Sequence, residues 1–173
     1  MNEQCAPNDL CRAKGGFEYT VETVRDGVVI DREVVKNLMP LAGLDHFLNV
    51  VLLGGTQNPA WYLAVYEGNY TPLSTDLATG LPTASTESTA YTAANRLTVS
   101  LSAPAGGVTS NAASPAEFEM NADKTIYGAY ISSANGKGAT TGVAISAVRF
   151  ASAKNLKSGD ILKVVAGFIL ASA

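Results

Sequence analysis

From Phe17 to Thr23 the chain alternates in steps of two: Phe17, Tyr19, Val21 and Thr23 are interleaved with Glu18, Thr20 and Glu22. That period sends successive side chains to opposite faces and predicts a β-strand with one buried side. Asp26-Gly27 then precedes Val28-Val29-Ile30. An Asp-Gly step between β-branched runs is a strong signal for a hairpin turn of type I′, whose two central residues both need φ > 0. A two-residue loop sets Thr23 opposite Ile30, Tyr19 opposite Val34 and Glu22 opposite Asp31. Glu18, Glu22, Asp31 and Glu33 are then expected on one acidic face, with a mildly destabilising like-charge pair at Glu22/Asp31. Such a face is ordinarily a solvated hairpin surface. It would equally suit docking on a basic partner, which would relieve that repulsion.

The period changes between Asn37 and Gly54. Leu41, Leu44, Phe47, Leu48, Val51 and Leu52 recur at helical spacing, with Pro40 tolerated in the first turn and Gly54-Gly55 as the stop. The expected helix carries an apolar stripe that should pack on a sheet, with Asp45 and His46 near its edge. His46 is the only histidine, and no positioned nucleophile accompanies it, so it reads as a surface or half-buried residue rather than a general base.

Ala60 to Tyr66 is apolar on both faces, as expected of a strand covered on both sides. Its aromatic residues read mainly as core; Trp61, Tyr62, Tyr66 and Tyr70 are also the candidates for a sugar-binding platform. The chain then turns polar from Glu67 to Asn95, through Asn69-Tyr70-Thr71-Pro72 and Thr75-Asp76. A connection this long is usually functional or mobile, which makes it the leading partner-contact segment, with Tyr70 and Asp76 as candidates.

Period-two patterns fill the remainder. Leu97, Val99 and Leu101 alternate with polar residues, as do Ala116, Phe118 and Met120, which turns Glu117 and Glu119 outward. Apolar runs at 126–131, 143–150 and 161–170 follow, divided by a glycine-bearing loop around Gly136-Lys137-Gly138 and a turn at Ser158-Gly159-Asp160. Several short strands at near-regular spacing predict a mainly β fold, a sandwich or barrel, with one α-helix. The N-terminal hairpin looks separable, so residues 1–37 are read as a terminal segment and β-hairpin arm, and 38–173 as helix plus sandwich.

Composition narrows the chemistry. The 173 residues are 47% hydrophobic and 16% charged, which suits a globular chain with a real core. Net charge is −3, without a Lys/Arg cluster able to neutralise a row of phosphates, which argues against nucleic acid. No apolar run approaches the ~20 residues of a membrane-spanning helix, and the first residues lack a signal-peptide pattern, so folding in a cytoplasm is expected. Cys5 and Cys11 lie close together, where a disulfide would hold little of the fold; as half a metal site they lack further ligands. The motifs G-x-S-x-G, G-x-x-x-x-G-K-[ST] and H-E-x-x-H are absent, and the acidic residues are scattered. No enzyme, cofactor or metal site is expected.

Three stretches together resemble a group of small phage virion proteins. They are Gly43-Leu44 to Gly54-Gly55 with Trp61-Tyr62-Leu63; Asn69-Tyr70-Thr71-Pro72 with Thr75-Asp76, Glu87, Tyr91 and Arg96; and Thr125 to Ala129, Gly142-Val143, Arg149-Phe150 and Ser158 to Leu162. The resemblance, over roughly residues 40–170, is to bacteriophage capsid decoration (cement) proteins. It implies a jelly-roll-like antiparallel β-sandwich on the capsid exterior, a dimer or trimer bound across joints between major capsid proteins. A tail- or fibre-associated virion protein and a carbohydrate-binding β-sandwich module are the alternative readings. The hairpin before residue 37 is less typical of the resemblance and would serve as an arm toward a neighbouring subunit.

Overall fold

A computed structural model describes residues 13–172, so the expectations for Cys5 and Cys11 lie outside the described residues. In chain order the elements are β1 (Ala13–Arg25), β2 (Val28–Lys36), α1 (Leu41–Leu52), β3 (Tyr62–Tyr66) and α2 (Leu81–Ala84). They continue with β4 (Leu97–Thr98), β5 (Val108–Ser110), β6 (Ala116–Glu119), β7 (Lys124–Ser132), β8 (Ala144–Leu156) and β9 (Ile161–Ser172). Two antiparallel sheets form a sandwich. One runs β2-β1-β9, with β5 and β6 both on the far side of β9; the other runs β4-β3-β7-β8.

Alternation along the strands builds the space between the sheets. Tyr19 and Val21, Phe118, and Leu162, Val164 and Ala166 from the first sheet meet Leu63, Val65, Ala129, Ile131, Val148 and Phe150 from the second. Side chains one residue out of phase point away, as Glu117 and Glu119 do beside buried Ala116 and Phe118. Asn111 fills the gap between β5 and β6: its Oδ1 accepts from the Ala166 N–H at 2.7 Å and its Nδ2 donates to the Val164 carbonyl at 3.2 Å. The ladder on β9 thus stays satisfied where no strand residue is present.

The N-terminal hairpin is not a separable arm. β1 is a central strand, paired with β9 from Ala13↔Ser172 to Val24↔Ile161, and its Phe17, Tyr19 and Val21 belong to the common core. Only its partner β2 is an edge, with Val28, Val29, Ile30 and Val34 exposed.

β3 is buried on both faces, as its unbroken apolar run predicts, with Leu63 to Tyr66 inaccessible. One face looks into the sandwich. The other is covered by the connection from Glu67 onward, whose Ala78 and Leu81 pack with Ala64, Tyr66, Tyr130 and Ala147. Gly128 makes that second layer fit: a Cβ there would collide with the Tyr66 ring and the Val148 carbonyl.

α1 lies against β8, but most of the stripe its spacing predicts turns away from the sheet, with Phe47 the member that packs. Pro40 stands at the N-cap, just outside the first turn, and the Gly43 N–H donates to its carbonyl at 2.9 Å. Gly43 is the only fully buried residue of the helix, and a Cβ there would come within 2.5 Å of the Ala144 carbonyl oxygen. The helix therefore seats by backbone contact through Gly43, helped by Phe47 against Phe168 with ring centroids 5.9 Å apart. Leu41, Leu44, Leu48, Val51 and Leu52 face solvent.

Candidate functional site

The hairpin was the first candidate, and its turn forms as expected, with φ of 50° at Asp26 and 76° at Gly27. The register then breaks. Val24 pairs with Val29, but Thr23 pairs with Asp31, which leaves Ile30 without an opposite residue. This β-bulge shifts every later pair by one and reverses which side chains of β2 face the core. Glu22 now lies opposite Arg32, with 3.5 Å between Oε1 and Nε, and the expected Glu22/Asp31 repulsion does not exist.

The bulge also divides the expected acidic face. Glu18 and Glu22 stay outward, while Asp31 and Glu33 turn toward β8 and close on Lys154. Lys154 Nζ donates to Asp31 Oδ2 at 2.6 Å and to Ser152 Oγ at 3.1 Å, and stands 3.0 Å from Glu33 Oε2. The Lys154 side chain is buried, and such a charge is tolerable only when paired and hydrogen-bonded. Glu33 also accepts the N–H groups of Ala151 and Ser152, both at 3.2 Å, capping backbone donors of β8. With Leu38 bridged to Ala147, this side of the sandwich is closed to strand addition along those residues.

A second clamp holds the hairpin tip. Arg25 grips Asp160 through both guanidinium and carboxylate arms, at 2.8 Å and 2.5 Å. The Asp160 carboxyl is held below its usual range, chiefly by that bond, against the opposing effect of burial and with help from the Lys157 N–H.

The polar connection was the other candidate, and there the structure brings Tyr70 and Asp76 together. The Tyr70 hydroxyl donates to Asp76 Oδ1 at 2.6 Å, and Asp76 Oδ2 accepts the Leu73 N–H at 2.9 Å. Burial first, and then the bond to Asp76, push the Tyr70 hydroxyl up to about 12. These two lie far in the chain from the hairpin acids and form a local brace.

Deeper in the same segment is a larger network. Glu87 and Arg96 pair at 2.7 Å with both side chains almost wholly buried. Glu87 Oε2 also accepts from the Tyr130 hydroxyl at 2.6 Å and from the Gly138 N–H at 3.0 Å. Arg96 donates onward to the carbonyls of Ala134 and Ala139 at 2.9 Å and 3.1 Å. A fully satisfied network of this kind fixes one conformation. The stretch read as a functional or mobile partner-contact segment is a covering layer pinned to the β7–β8 loop, in which Ser85, Ser88 and Tyr91 are buried.

The aromatic residues do not assemble a platform. Tyr66 is inaccessible, Tyr70 braces Asp76, and Trp61 stands edge-on to His46 with ring centroids 5.7 Å apart. Trp61 and Tyr62 are half-buried. His46 Nε2 is 3.0 Å from Asn58 Nδ2, beside an apolar cavity of about 240 Å³. Phe17, Phe47, Trp61, Ile145 and Phe168 are among its lining residues. Among the described residues, no three His, Cys, Asp or Glu side chains gather as a metal site, and no helix is long and apolar enough to cross a membrane.

Sequence reasoning missed two features. Lys154 gave a weak signal, a single cation within a long strand pattern. The outward turn of α1 gave a stronger one: Gly43 and Val50, together with Phe47, supply an apolar side facing away from Leu41, Leu44, Leu48, Val51 and Leu52, so the helix is apolar around much of its circumference. No family model matches the chain, and no curated protein matches it either.

Proposed function

We propose that this chain is a structural, non-enzymatic virion protein that binds the outer surface of a phage capsid as a decoration subunit. Its place would be across joints between major capsid proteins. The observation that carries the reading is the uncovered apolar face of α1, on a molecule whose buried charges are engaged in internal pairs. Soluble proteins seldom leave a large contiguous apolar patch bare, and such patches commonly mark protein contact sites. A cement subunit needs a rigid scaffold and many modest contacts repeated over a lattice. The sandwich, its pinned covering layer and its clamped hairpin suit that demand. The outward Glu18 and Glu22 and the exposed apolar tip of β2 remain available as secondary contacts.

The test uses undecorated phage shells assembled from major capsid protein. Stoichiometric addition of the purified protein should raise the temperature at which the shells open by several degrees. Shells that open at the same temperature with and without it would sink the proposal.

A further inference from the structure

The loop between β7 and β8 contains the only Asn-Gly step of the sequence, Asn135-Gly136. An asparagine side chain can be attacked at Cγ by the backbone nitrogen of the residue that follows it. Glycine favours the ring that forms, because it has no Cβ to crowd the approach and its backbone turns freely. Whether such a pair reacts depends on what holds its two halves.

Here neither half is held. Asn135 is exposed, and among the described residues only its carbonyl is engaged, accepting the Arg96 N–H at 2.8 Å. The Gly136 N–H has no acceptor among the described residues, although the Gly136 carbonyl accepts the Ala139 N–H at 3.1 Å. A Cβ added at Gly136 would touch only the Ala139 Cβ, at 3.6 Å, so the approach is open. Other asparagines differ on these points. The Asn69 side chain holds Arg149 and precedes bulky Tyr70, while Asn37 and Asn111 are fixed through both side-chain polar atoms.

The step also lies between two sets of anchors. Before it, the carbonyl of Ala134 accepts from the Arg96 guanidinium at 2.9 Å, beside the bond at Asn135. After it, Lys137 Nζ donates to the carbonyls of Thr89 and Tyr91, at 3.1 Å and 2.9 Å. The Gly138 N–H donates to Glu87 and the Ala139 carbonyl accepts from Arg96. Any change of chain length at Asn135-Gly136 is therefore felt on both sides of the Glu87–Arg96 network.

We propose that Asn135-Gly136 is a site of spontaneous covalent modification, a one-way clock that loosens the β7–β8 loop from the covering layer. The Gly136 nitrogen loses its proton and bonds to Asn135 Cγ, the Cγ–Nδ2 bond breaks, and ammonia leaves. Water then opens the cyclic imide at either carbonyl. Opening at the former side-chain carbonyl leaves an ordinary aspartate. Opening at the main-chain carbonyl routes the chain through the former side chain and lengthens it by an atom between the anchors. Either product carries a new carboxylate, and water is the only co-reactant. The chemistry needs no partner, so the proposal does not rest on capsid binding.

Ageing the full chain in mildly alkaline buffer at body temperature, followed by charge separation and peptide mapping by mass spectrometry, tests it. Over weeks the wild-type chain should gain a negative charge and the mass difference between an amide and an acid, both mapping to Asn135. Amide exchange at Arg96 and Gly138 should rise in the aged fraction, because their hydrogen bonds flank the altered step. Gly136→Ala has room for its Cβ and should fold normally, yet slow the conversion several-fold. Asn135→Gln should abolish it. A chain that keeps its mass and charge overturns the proposal, as does conversion that maps to other asparagines or runs equally fast in Gly136→Ala. Conversion at Asn135 with unchanged exchange at Arg96 and Gly138 overturns the loosening.

Discussion

The connection from Glu67 to Asn95 and the helix from Leu41 to Leu52 exchange the roles that their compositions suggest. The connection is rich in Ser, Thr and Pro, yet it is anchored by a buried ion pair and covers the outer face of β3. The helix is rich in leucine, yet it seats through one glycine and leaves its leucines in water. Polarity along the chain therefore does not locate the binding surface here. What decides is whether each polar group finds an internal partner and whether each apolar group finds a cover.

The most forceful way to break the contrast is at the pinned segment. Glu87→Ala would strand the buried Arg96 guanidinium and orphan the Tyr130 hydroxyl and the Gly138 N–H. Removing one partner of a buried pair typically costs about 3–5 kcal/mol, measurable by chemical denaturation. A loss under about 1 kcal/mol would mean that the connection is held by something else.

At α1 the vulnerable point is its seat. Gly43→Val would drive a side chain into the backbone of Ala144 and Ile145 and should cost about 1–3 kcal/mol, the usual range for overpacking. Amide exchange in residues 41–52 should rise with it while the sheets stay protected, because the helix lifts from β8. Unchanged exchange there would contradict the seating.

Acid gives a smaller, graded effect on the clamped side. The bond from Arg25 depresses the Asp160 pKa, and the bond from Lys157 depresses that of Asp123. A carboxyl whose folded pKa lies below its unfolded value stabilises the fold above the unfolded value, near 4. That contribution is lost as pH falls through the folded pKa. Stability should therefore be insensitive to these groups from neutral pH to about 5 and fall below about 4. Asp160→Asn should flatten part of this acid limb in thermal melts, and an identical limb would refute the linkage.

The smallest effect belongs to the exposed stripe. Leu48→Ser should change unfolding free energy by less than about 0.5 kcal/mol, as exposed sites usually do. A change of several kcal/mol would show that Leu48 has a cover within its own chain.

The fold was largely legible because strand alternation is local. The Asp26-Gly27 turn, the inward set of β1, the outward Glu117 and Glu119, and the doubly buried β3 all follow from period and turn chemistry. The functional surface was less so. One residue of bulge at Ile30 separates Asp31 and Glu33 from Glu18 and Glu22, and neighbouring sequence does not encode that slip; the distant Lys154 on β8 is what engages the displaced carboxylates. The outward turn of α1 is likewise set by Gly43 meeting β8, a contact about 100 residues away in the chain.

The central claim is that this chain decorates a shell, and imaging tests it most directly. Purified protein mixed with undecorated shells should appear at regular lattice positions, at a copy number that saturates. No ordered density on the shell, or density confined to the tail, would contradict the account.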